Sequence, residues 1–371
     1  MSVLPTMQGV AEVAGVSMGT VSNYLNRPDV LAEGTRARVH DAIEQLGYIR
    51  NSSARGLRRQ QTDGIGLIVP DILGRLFVGI ARGAQIAARQ QELRLVMANA
   101  VYVFESFSPQ ITSDQQDDYL DYFAEARMSG ILYAAMSDPT EGIARIRSHV
   151  RPIVVINYDQ PGDWCSVLMD NQQAGRLAGS HLAAGGFRRI FYLSPADVAQ
   201  PIADRRRGLH DIAVDLGIEI TDVPTHDLTS HEGYRIARLI VDELRPEKPF
   251  AILGITDDLA LGAMQFLRTR PELYIPEDVA VMGLDGNHDG GAHDWMTLTS
   301  IELPGHAMGE QAVRLVLDES RPDHRHERRI LPVSIRQGES TPCPSPSRLT
   351  HAAGDSPSAA EQGLLRRAVH A

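Results

Sequence analysis

Lysine is all but absent from this sequence: of its 36 basic residues, every one but Lys248 is arginine. A Walker A phosphate loop is thereby excluded, because Lys248 lies between Pro246 and Pro249 with no glycine-rich run before it. A Schiff-base lysine is not expected there either. Cysteine is equally scarce. Cys165 and Cys343 stand far apart with no CxxC, which suggests neither a zinc knot nor a disulfide framework. No apolar run reaches the length of a membrane span, and the N-terminus lacks a charged-then-apolar signal segment. The expectation is a soluble, reduced, cytoplasmic protein with no cofactor and no membrane partner. Positive charge is also short overall, with a formal net charge of −11, which for the whole chain argues against a nucleic-acid partner. Locally the balance reverses. Residues 1–60 hold seven arginines against five acidic residues, a net +2 that leaves −13 on the remainder.

The 371 residues suffice for two or three domains. Residues 1–48 carry helical periodicity and no strand-like run. Val10, Val13 and Ala14 mark a first helix, and Gly15 a tight turn. Ser17 is an N-cap for a second helix running to about Leu25, because its hydroxyl can accept from the open amides of the first turn. A third helix begins near Thr35 and ends at Gly47, with Val39, Ile43 and Leu46 on one face. From residue 63 apolar runs alternate with helical segments. Strands are expected over 65–69, 93–98, 131–134, 153–156, 167–169, 190–193, 251–255 and 279–284, and helices over 204–216, 232–244 and 257–267 among others. Continuous apolar strands separated by helices imply parallel sheets covered on both faces, and their number implies two doubly wound lobes. The fold class is therefore α/β, a three-helix headpiece followed by two doubly wound lobes. Residues 49–62 form an arginine-rich hinge or linker, and residues 342–371, rich in Pro, Ser and Ala, are expected to be a disordered tail.

A helix-turn-helix needs a small residue and a glycine at its sharp turn, a buried apolar face, and a second helix whose outer residues can enter the major groove. Ala11-Glu-Val-Ala-Gly-Val-Ser17 and Thr20-Val-Ser-Asn-Tyr-Leu-Asn26 meet those needs. Val21, Tyr24 and Leu25 share the inner face, and Met18, Gly19, Ser22 and Asn23 the outer one. Ser17, Thr20 and Ser22 can donate to phosphate, which positions the helix without reading sequence.

These segments resemble the headpiece of the lactose/galactose repressor (LacI/GalR) family. The resemblance runs in order over residues 6–341, through Thr35-Arg-Ala-Arg-Val, Ala42-Ile-Glu-Gln-Leu-Gly-Tyr-Ile, Ile65-Gly-Leu-Ile-Val-Pro-Asp, Asp170-Asn171, Arg205-Arg-Arg-Gly-Leu, Thr256-Asp-Asp-Leu-Ala-Leu-Gly, Ile275-Pro-Glu-Asp-Val-Ala-Val-Met-Gly-Leu-Asp and Arg336-Gln-Gly-Glu-Ser-Thr. It implies a helix-turn-helix headpiece followed by a two-lobed, doubly wound, periplasmic-binding-protein-like effector domain, in a transcriptional regulator expected to be a repressor and not an enzyme. A homodimer, with a tetramer left open, would set two reading helices in successive major grooves of a pseudo-palindromic double-stranded operator. Met18, Gly19 and Asn23 occupy the family's base-reading positions. Asparagine can pair bidentately with adenine, and Met18 can touch a thymine methyl. Ser17, Thr20, Ser22 and Asn26 complete the DNA-binding set. In the hinge the resemblance implies a helix that folds on DNA and wedges Leu57 into the minor groove, with Arg55 and Arg58 near phosphates.

The sequence departs from the family at several points. Gly9 replaces an acidic residue near the first helix start, Arg50 a common proline, and Gly56 weakens a hinge helix by about 1 kcal/mol relative to alanine. An extra loop is expected over 102–113. The family's effector contacts match Leu76, Phe77, Tyr158, Asp170, Arg205 and Asp257, a set whose carboxylates, guanidinium and rings suit a carbohydrate. Leu73-Gly-Arg-Leu-Phe77 and Thr256 alter the usual donors there. Several other classes are disfavoured. A sugar-binding protein without a DNA role would lack residues 6–57, and for a nucleotide-dependent sugar enzyme Gly64-Ile-Gly66 is too short a phosphate loop. His288-Asp-Gly-Gly-Ala-His293-Asp294 lacks helical ligand spacing, so no metal is expected, and His324 and His326 are expected in a solvated connection.

Overall fold

The computed structural model describes residues 5–48, 62–72, 74–100, 109–135, 137–149, 152–196, 199–286, 295–319, 321 and 323–343, with backbone alone for 109–114. Residues 49–61 of the expected hinge (49–62), His288 and His293, and residues 344–371 of the expected tail (342–371) lie outside that set. The chain divides into two compact units, Met1–Thr62 and Asp63–Ala371.

The first unit is a three-helix headpiece, α1 (Met7–Ala14), α2 (Met18–Asn26) and α3 (Glu33–Leu46). Each end has a local cause. Thr6 caps α1 by accepting from the Gly9 amide at 3.1 Å. Gly15 closes it in the left-handed region at φ 62°, where the Val16 amide reaches back to the Ala11 carbonyl. A Cβ at Gly15 would meet nothing within 4 Å, so the glycine answers to backbone conformation rather than space. Val10, Ala11, Ala14, Val21, Val39 and Ala42 form the core. At the exposed margin of that core the Tyr24 hydroxyl of α2 shares a hydrogen bond with His40 Nδ1 of α3 at 3.0 Å.

The second unit contains two six-stranded sheets. In the first lobe β1 (Gly64–Val69), β2 (Arg94–Asn99), β3 (Gly130–Ala134), β4 (Ile153–Ile156), β5 (Cys165–Met169) and β11 (Arg328–Leu331) lie in the order β11-β5-β4-β3-β1-β2, all parallel. The helices of this lobe are α4 (Arg75–Gln90), α5 (Pro109–Glu125), α6 (Thr140–Ile146) and α11 (Gly305–Glu319). The second lobe orders β12-β10-β9-β8-β6-β7 from β6 (Arg189–Ser194), β7 (Glu219–Pro224), β8 (Phe250–Gly254), β9 (Val279–Gly283), β10 (Thr299–Glu302) and β12 (Ser334–Arg336). Its helices are α7 (Asn171–Ala184), α8 (Gln200–Leu216), α9 (Ser230–Leu239), which runs on as a π turn over Ile240–Leu244, and α10 (Asp257–Leu267). The chain crosses between lobes after β5, after β10 and between β11 and β12. Strands β1, β3, β4, β5, β8 and β9 are buried on both faces, as parallel central strands must be.

Three expectations need correction. The second sheet is not wholly parallel, because β12 runs antiparallel to β10. The extra loop placed over 102–113 is helical from Pro109 onward as the start of α5. His324 is not solvated: its side chain is only 5% exposed, closed in against Cys165. β7, β10, β11 and β12 were also missed among the expected strands. β7 is a sheet edge with mixed exposure, and β10 is four residues of mostly polar type.

Candidate nucleic-acid interface and effector cleft

On the headpiece the Ser17 side chain accepts from the Thr20 amide at 3.2 Å and shares a hydrogen bond with the Thr20 hydroxyl at 3.0 Å. Both hydroxyls are therefore held at the N-terminus of α2, where its amides and dipole favour an anion. Met18, Gly19 and Asn23 lie on the solvent side, with Met18 55% exposed despite its apolar side chain. Ser22 and Asn26 are tied together. The Asn26 amide donates to the Ser22 carbonyl at 2.8 Å and to its hydroxyl at 3.3 Å. The expected phosphate-donor role of Ser22 thus competes with a bond inside the helix. Arg55, Leu57 and Arg58 lie outside the described residues.

In the second unit the expected effector residues sort into two layers. Arg205 and Asp257 are both buried. Arg205 sits on α8, which crosses α7 so closely that a Cβ on Gly208 would overlap the Gln172 carbonyl. That approach lets the Arg205 guanidinium donate to Asn171 Oδ1 at 2.9 Å and to the Leu284 carbonyl at 3.3 Å. Asp257, the first residue of α10, accepts from the Ser300 hydroxyl at 2.5 Å and pairs with Arg336 at 3.6 Å. Its backbone amide donates to Asp285 Oδ1 at 2.8 Å. Burial first, and the adjacent Asp257 second, push the Asp285 carboxyl well above the usual carboxylate range, opposed by Arg205. Burial in turn lowers Arg205 from the ordinary arginine value, with Asp285 opposing. Five strand ends and helix starts thus converge on a buried charge network that fixes the floor of the second lobe.

The outer layer lies where the lobes face each other. Tyr158 follows β4 and is half-buried, its hydroxyl raised by burial and then by the carboxylates of Asp138 and Asp204. Asp170 is exposed and caps α7, accepting from the Gln173 amide at 2.9 Å. Leu76 and Phe77, in the first turn of α4, are half-buried against the first lobe's core. Between the lobes the Asp159 amide donates to Gln200 Oε1 at 2.8 Å and the Gln200 amide donates to the Asp159 carbonyl at 3.0 Å. Arg328 grips the Asp159 carboxylate from the first lobe's edge, with Nε 2.8 Å from Oδ1. Asn157, just before, holds φ 62°, and its buried side-chain oxygen has no hydrogen-bond partner among the described residues.

Sequence reading missed Asn157, Asp159, Gln200, Asp285 and Ser300. Asp285 ends the segment Ile275–Asp285 already singled out for its resemblance, so that signal was present. Asp159 and Gln200 carry no motif, and only the approach of two lobes joins them.

Residues 6–51 match the family described as bacterial regulatory proteins, lacI family, and residues 180–341 match a periplasmic binding protein-like domain. The chain thus carries a helix-turn-helix domain of the lacI family ahead of a periplasmic binding protein-like domain. The chain is similar to the HTH-type transcriptional repressor PurR of Vibrio atlanticus (strain LGP32), at 27% identity over 336 residues, 88% of this chain and 95% of the relative. It is similar in structure to a transcriptional regulator CelR-cellobiose complex, at TM-score 0.61 and 25% identity, covering 91% of this chain and 99% of the other. The lac repressor dimer bound to operator and the anti-inducer ONPF shares the fold at TM-score 0.73, covering 91% and 98% at 23% identity. The chain therefore joins a lacI-type DNA-binding helix-turn-helix to a periplasmic binding protein-like domain. Among its described residues no helix is long and apolar enough to cross a membrane.

Proposed function

We propose that this chain is a lacI-family regulator that represses transcription from the cytoplasm, binding a near-palindromic operator as a homodimer and changing its affinity when a small polyhydroxylated ligand, a sugar, enters the inter-lobe cleft. Residues 1–48 are the reading head, 49–62 the hinge and 63–341 the two-lobed effector and dimerisation body, and no catalysis is part of the reading. The exposed outer face of α2 carries it. Met18, Gly19 and Asn23 stand in solvent on a helix whose other face is packed and whose start is capped, and a DNA major groove is a surface that such a face fits. Leu57 in the hinge is assigned the minor-groove wedge, with Arg55 and Arg58 at phosphates.

Two features support the remaining parts. β2 is one of the two edge strands of the first lobe's sheet, with Val96 and Met97 about 40% exposed. An apolar strand edge of that kind favours self-pairing. In the cleft, Tyr158, Asp170 and Leu76-Phe77 supply the rings, carboxylate and apolar wall that a sugar needs. Arg205 and Asp257 act through the buried network beneath. A cellobiose complex of the structurally similar CelR agrees with that ligand class.

The test is footprinting of purified protein on the DNA upstream of its own coding sequence, with and without a panel of sugars. Protection of an inverted repeat that one sugar changes is the expected result. No protection of any repeat would leave a binding protein without a DNA role and would overturn the reading.

A further inference from the structure

A cluster of soft and borderline donors lies in the first lobe, at the start of the last strand to join its sheet. Cys165 opens β5 and is fully buried. Glu319 ends α11, and His324 and His326 lie on the connection from α11 into β11. Alternate residues of an extended chain share a side, so the two imidazoles face the same way. His324 Nε2 lies 3.1 Å from Cys165 Sγ, and His326 Nδ1 lies 4.0 Å from it. His326 Nδ1 is also 3.9 Å from Glu319 Oε1. All four donor atoms fall within 4.8 Å of one another.

We infer that Cys165, Glu319, His324 and His326 form a four-ligand site for one divalent transition-metal ion of the zinc class. The spacing is right. With metal–sulfur bonds of about 2.3 Å and metal–nitrogen bonds of about 2.0 Å, a tetrahedron has sulfur–nitrogen edges of about 3.5 Å. The two sulfur–nitrogen separations, 3.1 and 4.0 Å, bracket that edge. The donor set is right as well. One thiol, two imidazoles and one carboxylate suit zinc, cobalt or nickel and do not suit magnesium or calcium, which take oxygen ligands.

The surroundings orient the ligands as a metal centre requires. His324 Nδ1, the nitrogen turned away from the cluster, meets Asp318 Oδ2 at 2.9 Å, while Arg321 holds the other oxygen of that carboxylate at 2.8 Å. A carboxylate on the far nitrogen fixes the tautomer that leaves Nε2 as a lone-pair donor. His326 has a similar but looser arrangement, with Nε2 3.8 Å from Asp163. The Glu327 amide points at Cys165 Sγ at 3.4 Å, a donor suited to a thiolate. On binding, the cation takes the sulfur lone pair and the thiol proton leaves to solvent, so the step needs no co-reactant.

The experiment uses the untagged full chain, stripped with a chelator, kept reduced and titrated with Co2+. One equivalent should saturate a thiolate-to-cobalt charge-transfer band in the near ultraviolet together with visible bands of tetrahedral intensity, and Zn2+ should bleach both. Cys165→Ser should abolish the charge-transfer band, and His324→Ala should weaken binding by more than the roughly 10–100-fold typical of a lost outer-shell partner. Asp318→Asn should keep the band and weaken binding by roughly 10–100-fold, and Cys343→Ser should change nothing. No band, a band that survives Cys165→Ser, or a band lost with Cys343→Ser would overturn the inference. Because Cys165 and His324 are buried, X-ray absorption of the unmodified zinc-loaded protein provides a second reading that needs no variant. One sulfur at about 2.3 Å with nitrogen and oxygen at about 2.0 Å is expected, and a shell without sulfur would refute the site.

Discussion

Replacing Gln200 by alanine removes the two hydrogen bonds that join the lobes at Asp159. Each is a neutral amide pair, worth about 0.5–1.5 kcal/mol net. Together they amount to about 1–3 kcal/mol, a roughly 5- to 150-fold shift in the balance between joined and parted lobes. Asp159 itself stays anchored, because Arg328 holds its carboxylate from within the first lobe. Hydrogen exchange resolved at the Asp159 amide reads the change. Exchange should speed up by that factor in Gln200→Ala, while amides in the buried strand β4 keep the wild-type rate. Gln200→Glu separates lobe parting from simple loss of an acceptor. It keeps an oxygen for the Asp159 amide but loses the donor to the Asp159 carbonyl, and it sets a negative charge beside Asp159. It too should accelerate exchange if the two bonds work as a latch. Equal exchange in wild type and Gln200→Ala would refute the latch.

Other consequences are equally specific. Gly15→Ala should destabilise the headpiece by about 1–2 kcal/mol through backbone strain alone, since nothing surrounds that Cβ; thermal melting of the headpiece signal measures it. His181 is buried with Nε2 2.7 Å from the Thr341 hydroxyl, and burial holds it down from the ordinary 6.5 to about 4. The neutral ring is favoured in the fold, so its contribution is intact above the unfolded value and is lost as pH falls from about 6.5 towards 4. That loss is at most about 3 kcal/mol. Urea midpoints at about pH 7 and about pH 4.5 should differ more in wild type than in His181→Gln. Asn23→Ala should leave the melting point unchanged, because the side chain is exposed, and should weaken operator binding by about 1–3 kcal/mol in a gel-shift titration.

Much of the architecture was legible because burial writes itself into local pattern. β1, β3, β4, β8 and β9 are continuous apolar runs, and each is buried throughout. The headpiece was read from a cap, a left-handed glycine and one apolar face, all of which act within a few residues. What was not legible depends on tertiary approach. β7 is recognisable only once β6 offers it an edge to pair with. Arg205 and Asp257 were picked out by resemblance alone, and the partners that bury them come from separate strand ends that no local pattern joins. Cys165 and His324 are brought together across 159 positions by the parallel pairing of β5 with β11, and His324 on its own read as a surface residue among arginines. Local periodicity reports which face is buried. It does not report which distant side chain meets it.

The reading head is the centre of the functional proposal, and selection from randomised duplex DNA by the purified full chain tests it most directly. The enriched sequence should be an inverted repeat with half-site centres about one helical turn apart. Binding to it should fall on Asn23→Ala and weaken only modestly with added salt, because the slope is about −0.9 per phosphate neutralised and few cations are available to neutralise them. Enrichment of no sequence, or of a single asymmetric site bound equally well by Asn23→Ala, would contradict a dimeric regulator that reads DNA through the outer face of α2.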